Sequence, residues 1–289
     1  MCDGVTMKGK IVLITGANTG IGEVTARELA GAGAKVYLAC RNEKRALEAM
    51  DRIRAVHPDA NLQFLALDLG DLSAVRNAVD AFLEAEDRLH VLINNAGLAG
   101  QRGETAQGFE LAFGVNHLGH FLLTEQLRPI LTRSGTAADP ARVVVVASRA
   151  HFRRRKGIDY AAVQRPTKTV SGFEEYKVSK LANVMHAKGL ARRLEGQPVS
   201  VYSLHPGVVA SDVWRRVPWP FRSLIKRFMI TNEEGAQTTL HCATSPAVAG
   251  ESGLYYDECA PKEASALARD EDLQEQLWGR SEEWTAPRS

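Results

Sequence analysis

Short, continuously apolar runs alternate with longer stretches of helical periodicity along this chain, and few folds accept that pattern. The runs fall at 11–15, 36–39, 62–67, 91–94, 143–147, 199–204 and 253–256. Most are apolar at every position rather than at every second one. A strand with one wet face alternates, whereas a strand covered on both faces does not, so these runs predict parallel strands buried between helices. Between them, helical patterns occupy 21–32, 43–56, 72–86, 105–132, 174–194 and 235–244. Asn42 and Asp71 stand at the start of two of these as candidate N-caps. Thr231-Asn232-Glu233-Glu234 has the spacing of a capping box.

The repeated strand–helix order predicts an α/β chain with a Rossmann-type doubly wound parallel sheet of about seven strands and helices on both faces. No repeat or low-complexity linker divides the 289 residues, so a single domain over 1–289 is expected. A hydrophobic content of 45% excludes wholesale disorder, and 36 basic against 34 acidic residues give no electrostatic reason for a nucleic-acid partner. Cys2, Cys40, Cys242 and Cys259 lack CxxC spacing, which suits a reducing, cytoplasmic setting. The opening MCDGVTMKGK has no apolar core of a signal peptide. The longest apolar runs, such as VVVVA, are strand-sized and fall short of the ~20 residues of a membrane span.

Ligands of such a sheet gather at the carboxyl ends of its strands. The first strand leads into Thr15-Gly16-Ala17-Asn18-Thr19-Gly20-Ile21-Gly22 and then a helix. Glycines let backbone approach a pyrophosphate, and the helix start offers free N–H groups and a positive dipole end. After the second strand, where an NAD site usually carries an acid, stand Cys40, Arg41 and Asn42. A guanidinium pairs with a 2′-phosphate, so the expected cofactor is NADP(H), the plain alternative being a solvated surface arginine. Asp68-Leu69 follows the third strand, its carboxylate suited either to an adenine amino group or to capping a helix, as Asp71 also is. Asn94-Asn95-Ala96-Gly97 makes a tight turn after the fourth.

Tyr176 and Lys180 lie four residues apart at the start of a predicted helix and so on one face. An ammonium beside a phenol favours phenolate, and moving a tyrosine from ~10 to ~7 takes about 4 kcal/mol, which Lys180 and an oxidised nicotinamide can supply together. Ser148 ends the fifth strand, where a hydroxyl can bond a substrate oxygen. Asn116 falls mid-helix, where an Asn competes with the helix backbone, so it has a structural or water-relay role. His117 and His120 share that stretch without further ligands around them and read as structural, with no metal site.

TGANTGIG, NNAG, Asn116, Ser148, Tyr176-x-x-x-Lys180 and His205-Pro206-Gly207, in this order, resemble the short-chain dehydrogenase/reductase family from about residue 8 to residue 284. YLACRN, HVLINNAG, GVNHLGHFLL and GAQTTLHCA are similar more narrowly to its NADP-preferring, retinol-dehydrogenase-like branch. The resemblance implies Tyr176 as general acid/base, Lys180 on the nicotinamide ribose, Ser148 on the substrate oxygen and Asn116 as anchor of a relay water. It implies Asn95, Ala96 and Gly97 along the adenosine side, with Pro206, Gly207, Val208 and Val209 beside the nicotinamide and Ser211 just beyond. The substrate would be a small hydrophobic carbonyl or alcohol such as a retinal-like compound or a steroid, and association as a homodimer or homotetramer would use the helices bearing Asn116 and Tyr176. There are departures from the branch. Many animal members carry an N-terminal membrane anchor, whereas this sequence opens almost at its first strand. Ala147 replaces a frequent second Ser, and Ser211 a frequent Thr.

Two segments interrupt the alternation, 148–172 and 208–230. Arg149, Arg153, Arg154, Arg155 and Lys156 lie in the first and Trp214, Arg215, Arg216, Trp219, Phe221 and Arg222 in the second. The second, over about 208–232, would form a substrate lid. These basic and aromatic residues could serve an acidic substrate, peripheral contact with a membrane, or solubility. Two other functions compete with an oxidoreductase. A non-enzymatic NADP sensor would not need Ser148, Tyr176 and Lys180. A hydrolase using Ser148 would need a GxSxG elbow that is missing.

Overall fold

In the computed structural model, which describes residues 5–207 and 230–287, the apolar runs become the strands of one sheet. In chain order they are β1 (Ile11–Thr15), β2 (Lys35–Cys40), β3 (Asn61–Ala66), β4 (Val91–Asn94), β5 (Ala141–Val146), β6 (Val199–His205), β7 (Leu254–Asp257) and β8 (Ala260–Lys262). The spatial order is β3-β2-β1-β4-β5-β6-β7-β8. β1 to β7 run parallel, and β8 turns back antiparallel on β7. This is the expected doubly wound architecture with one strand more. β8 escaped the sequence because it is three exposed residues at the sheet edge, with Pro261 in the middle. The order reverses direction between β1 and β4, which opens a crevice at the carboxyl ends of the strands.

Helices cover both faces: α1 (Gly20–Gly31), α2 (Glu43–Val56), α3 (Leu72–Ala85), α4 (Leu111–Phe113), α5 (Gly119–Ser134), α6 (Phe173–Arg193), α7 (Asn232–Thr244), α8 (Ala266–Arg269) and α9 (Glu271–Thr285). Side chains alternate between the faces. Val12, Ile14, Val36 and Leu38 pack with residues of α1, α2 and α7, whereas Leu13, Leu92, Val143 and Val145 pack with α3, α5 and α6. Val12, Leu13 and Ile14 are fully buried, each worth about 1.5–3 kcal/mol, which explains why the strand sequences do not alternate. The start signals act as expected. Asn42 accepts from Arg45 N, Asp71 from Ser73 N, and Thr231 and Glu234 form a capping box.

The stretch expected as one helix over 105–132 begins later and is interrupted. Thr105 and Glu110 bond Phe109 N and Phe113 N, so the chain turns before α4. A π-helical turn at Gly114–Leu118 then joins α4 to α5. α8 and α9 were not anticipated. α9 is mostly polar, with its apolar content on one narrow stripe, and Asp270 caps it by accepting from Leu273 N. That stripe lies over α5 and α6. Trp278 packs on Phe121 at 5.0 Å and His186 at 5.7 Å, and Ser281 bonds His117 Nε2. The helices expected to pair with another copy therefore carry α9 on this face. No helix among the described residues is long and apolar enough to cross a membrane.

Candidate active site

The glycine turn, the start of α1 and the residues after β4 meet backbone to backbone. Gly16 has φ +66°, and a Cβ there would sit 3.0 Å from Ala96. A Cβ on Gly22 would meet Asn95 Nδ2 at 2.5 Å. Thr15 organises the junction: its Oγ1 accepts from Asn95 N (3.0 Å) and Ala96 N (2.9 Å), while Asn95 Nδ2 donates to the Thr15 carbonyl (2.8 Å). Thr19, the N-cap of α1, makes no side-chain cap bond, which leaves the helix start to other acceptors. Asn18, Gly20 and Ile21 complete this cradle between β1 and α1.

At the end of β2 the Cys40 thiol is buried against the amides of Gly16, Ala17 and Asn18, and burial pushes it up to about 11. The position of an acid in an NAD site thus holds a neutral group. Beside it the Arg41 side chain is 78% exposed, 3.8 Å from Asp68 Oδ2. Asn42 Oδ1 is used by the α2 cap, which leaves its amide N–H groups to other partners. Asp71 takes the α3 cap, and Asp68 Oδ1 accepts instead from Gly70 N at 2.9 Å. Leu69 is buried next to it. A close-approach glycine turn, an uncapped helix start and a largely exposed guanidinium beside Asp68 form a set that fits a nicotinamide dinucleotide.

The chemical groups converge beyond β5. Ser148 leaves that strand, its Oγ accepts from Ala150 N at 3.1 Å, and its hydroxyl also hydrogen-bonds the Tyr176 side chain. Burial raises the Tyr176 phenol above its usual value, against the Ser148 hydrogen bond, so it holds its proton at neutral pH. Lys180, one turn along α6, has its Nζ 5.7 Å from the Tyr176 ring centre and donates to the Val146 carbonyl at 2.8 Å. Burial lowers this ammonium to about 8. A depressed phenol therefore needs the second contribution, that of an oxidised nicotinamide.

Asn116 is fully buried in the π-helical turn. Its side chain pairs with the Leu98 backbone, accepting from N at 2.9 Å and donating to O at 3.0 Å, and donates to Ser179 Oγ at 2.9 Å. The Ser179 hydroxyl in turn donates to the Tyr176 carbonyl at 2.9 Å. Asn116 thus bridges the β4 loop and α6, a structural role of the kind its mid-helix position suggested. A Cβ on Gly97 would lie 3.4 Å from Lys180 Nζ and 3.5 Å from Asn116 Oδ1, so the cofactor side and the chemical side are continuous.

Pro206 and Gly207 follow β6 at the same sheet end. Val208, Val209, Ser211 and almost all of the expected lid, with Trp214 to Arg222, lie outside the described residues. The basic cluster after Ser148 is less open than its sequence suggests. Arg149 makes a bidentate pair with Asp257 (2.6 and 2.8 Å) and also bonds Glu258, while Arg153, Arg155 and Lys156 are exposed. Asp257 is a partner the sequence did not disclose, lying more than 100 residues away. Thr15 and Ser179 were missed as well; their adjacency to the glycine turn and to Lys180 was the available signal. Among the described residues no three metal-binding side chains gather.

Comparison with known proteins agrees with this geometry. Residues 10–219 match the family model described as short chain dehydrogenase. The chain is 44% identical to human retinol dehydrogenase 12 over 283 residues, covering 96% of this chain and 86% of that protein. A crystal structure of an uncharacterised protein from Mycobacterium paratuberculosis superposes with a TM-score of 0.78 at 31% identity, over 99% of this chain and 97% of the other. RhlG of Pseudomonas aeruginosa, in an active-site complex with NADP, gives 0.70 at 27% identity over 88% and 96%. The chain belongs to the short-chain dehydrogenase/reductase family, in its retinol-dehydrogenase-like branch, and is an oxidoreductase acting on CH–OH groups.

Proposed function

We propose that this protein is an NADP(H)-dependent oxidoreductase that interconverts a lipophilic aldehyde or ketone with its alcohol. The observation that carries the reading is the convergence of the Ser148 hydroxyl, the protonated Tyr176 phenol and the buried Lys180 ammonium at one sheet end. NADPH, held by the glycine turn and the residues after β2 and β4, would supply the hydride for the carbonyl carbon. The Tyr176 Oη gives its proton to the carbonyl oxygen as the alcohol forms, and takes it back in the oxidative direction. Ser148 Oγ, already bonded to Tyr176, holds the same oxygen in line. Lys180 Nζ, 5.7 Å from the Tyr176 ring centre, favours the phenolate left behind and would hold the nicotinamide ribose. Asn116, tied to Leu98 and Ser179, anchors the water that returns the proton.

Arg41 and Asn42 would hold the 2′-phosphate, and Gly16, Asn18, Thr19, Gly20, Ile21 and Gly22 the pyrophosphate. Asp68 and Leu69, then Asn95, Ala96 and Gly97, would line the adenosine. Pro206, Gly207, Val209 and Ser211 would flank the nicotinamide. The NADP complex of RhlG supports this choice of cofactor, and the likeness to retinol dehydrogenase 12 supports a hydrophobic substrate. In this reading 1–289 works as one catalytic domain, with a lid over about 208–232. The three described cysteines, all free, suit a cytoplasmic setting. The test is NADPH consumption over retinal, aliphatic and aromatic aldehydes, steroids, quinones and acidic carbonyls, with Tyr176→Phe as the control. Turnover by the native protein and its loss in Tyr176→Phe, with NADPH binding largely kept, is expected. Tight NADPH binding without turnover of any carbonyl or alcohol would overturn the reading.

A further inference from the structure

We propose that His120 is a positioning residue that, as the neutral Nδ1–H tautomer, couples the dinucleotide cradle to Asn116. The inference deepens the oxidoreductase reading and rests on it for the roles of the two sites joined. His120 is 1% exposed, at the start of α5. Its Nε2 lies 2.8 Å from Thr15 Oγ1, and its Nδ1 lies 3.0 Å from the Asn116 carbonyl oxygen.

Counting protons fixes the tautomer. Thr15 Oγ1 already accepts from Asn95 N and Ala96 N, which fills its two acceptor positions. Its one proton must go outward. The Ile93 carbonyl is 3.5 Å away, whereas His120 Nε2 is 2.8 Å away. Nε2 is therefore the acceptor, and the ring proton sits on Nδ1, where it is donated to the Asn116 carbonyl. An imidazolium would leave two protons facing each other at Thr15. Burial agrees, holding His120 down to about 4, with the Lys180 ammonium acting in the same direction.

The result is a directional chain: backbone N–H of Asn95 and Ala96 to Thr15, Thr15 to His120, His120 to Asn116. The π-helical turn sets Asn116 apart from regular helix, and His120 is the side chain that ties its carbonyl back. A cofactor that orders the Asn95–Ala96 backbone thereby also sets the Asn116 carbonyl. A histidine that merely filled space would contact both residues without making one depend on the other.

The two ends can be cut separately. An Asn side chain reaches as far as Nδ1, so His120→Asn keeps the bond to Asn116 and loses Thr15. A Gln side chain reaches as far as Nε2, so His120→Gln keeps Thr15 and loses Asn116. Losing one buried hydrogen bond should change the matching quantity about tenfold. His120→Asn should raise the NADPH Kd about tenfold and lower kcat less than His120→Gln does. His120→Gln should lower kcat about tenfold and raise the Kd less than His120→Asn does. In the native protein, 15N spectra, with the His120 signal assigned by its loss in the variants, should show a protonated Nδ1 and a bare Nε2 at pH 7. Equal effects of both variants on Kd and on kcat, or a protonated Nε2, would overturn the proposal. The spectra and the Kd need no turnover. A native protein inactive on every substrate therefore sinks the oxidoreductase reading and still leaves the coupling open to test.

Discussion

Lys180 keeps an ammonium almost out of water. Its side chain is 4% exposed, and burial takes it from 10.5 to about 8. At about 1.4 kcal/mol for each tenfold, the native state bears a cost of about 3 kcal/mol for this charge at pH 7. Lys180→Met removes that cost and fills similar volume. It also removes the bond from Nζ to the Val146 carbonyl, worth about 1 kcal/mol, although Asn183 Nδ2, at 3.3 Å, still serves that oxygen. The variant should therefore gain about 2 kcal/mol, or about 4 °C in Tm, while losing at least ~100-fold in kcat. The pH dependence carries a definite sign. A base whose folded value lies below its unfolded value carries the full penalty below about 8 and none above 10.5. The advantage of the variant should thus shrink steadily from pH 8 towards 10.5. Urea denaturation of both proteins at pH 7 and pH 9.5, beside NADPH-coupled turnover, measures all three quantities. A variant less stable than the native protein at pH 7, or a gain indifferent to pH, would refute desolvation as the force on Lys180.

Two further outcomes are expected. Arg41→Ala should weaken NADPH about tenfold, the low end for an ion pair at so exposed a side chain, and leave NADH unchanged; equal loss of both cofactors by fluorescence titration would remove the 2′-phosphate assignment. Trp278→Ala should cost about 3–5 kcal/mol in urea denaturation, because the ring is 3% exposed and lies under the Arg193 guanidinium at 3.9 Å; a loss below about 1 kcal/mol would mean that α9 does not anchor α6.

The sequence disclosed what local chemistry dictates. Strands buried on both faces read as unbroken apolar runs, and Asn42, Asp71 and Thr231 marked helix starts because capping acts within three residues. The glycine turn, Ser148, Tyr176 and Lys180 were legible because turn and helix spacing carry them to one sheet end. What stayed hidden depends on distance along the chain. Arg149 reads as part of a basic cluster, and Asp257, which pairs with it, lies 108 residues further on. Asn116 stands out as ill-suited to a helix, but Leu98 and Ser179, which satisfy it, come from other elements. α9 was missed because its polar residues outnumber the few, among them Leu277 and Trp278, that it buries on α5 and α6.

That last helix also sets an order of events. Every residue of the site precedes α9 in the chain, so during synthesis the site's parts emerge first and their outer cover last. Until Trp278 arrives, the apolar patch around Phe121 and His186 lacks the ring that packs on both of them. A nascent chain at that stage presents a sticky surface to chaperones and to its own copies. The passage from that vulnerable intermediate to the finished protein is the docking of one mostly polar helix.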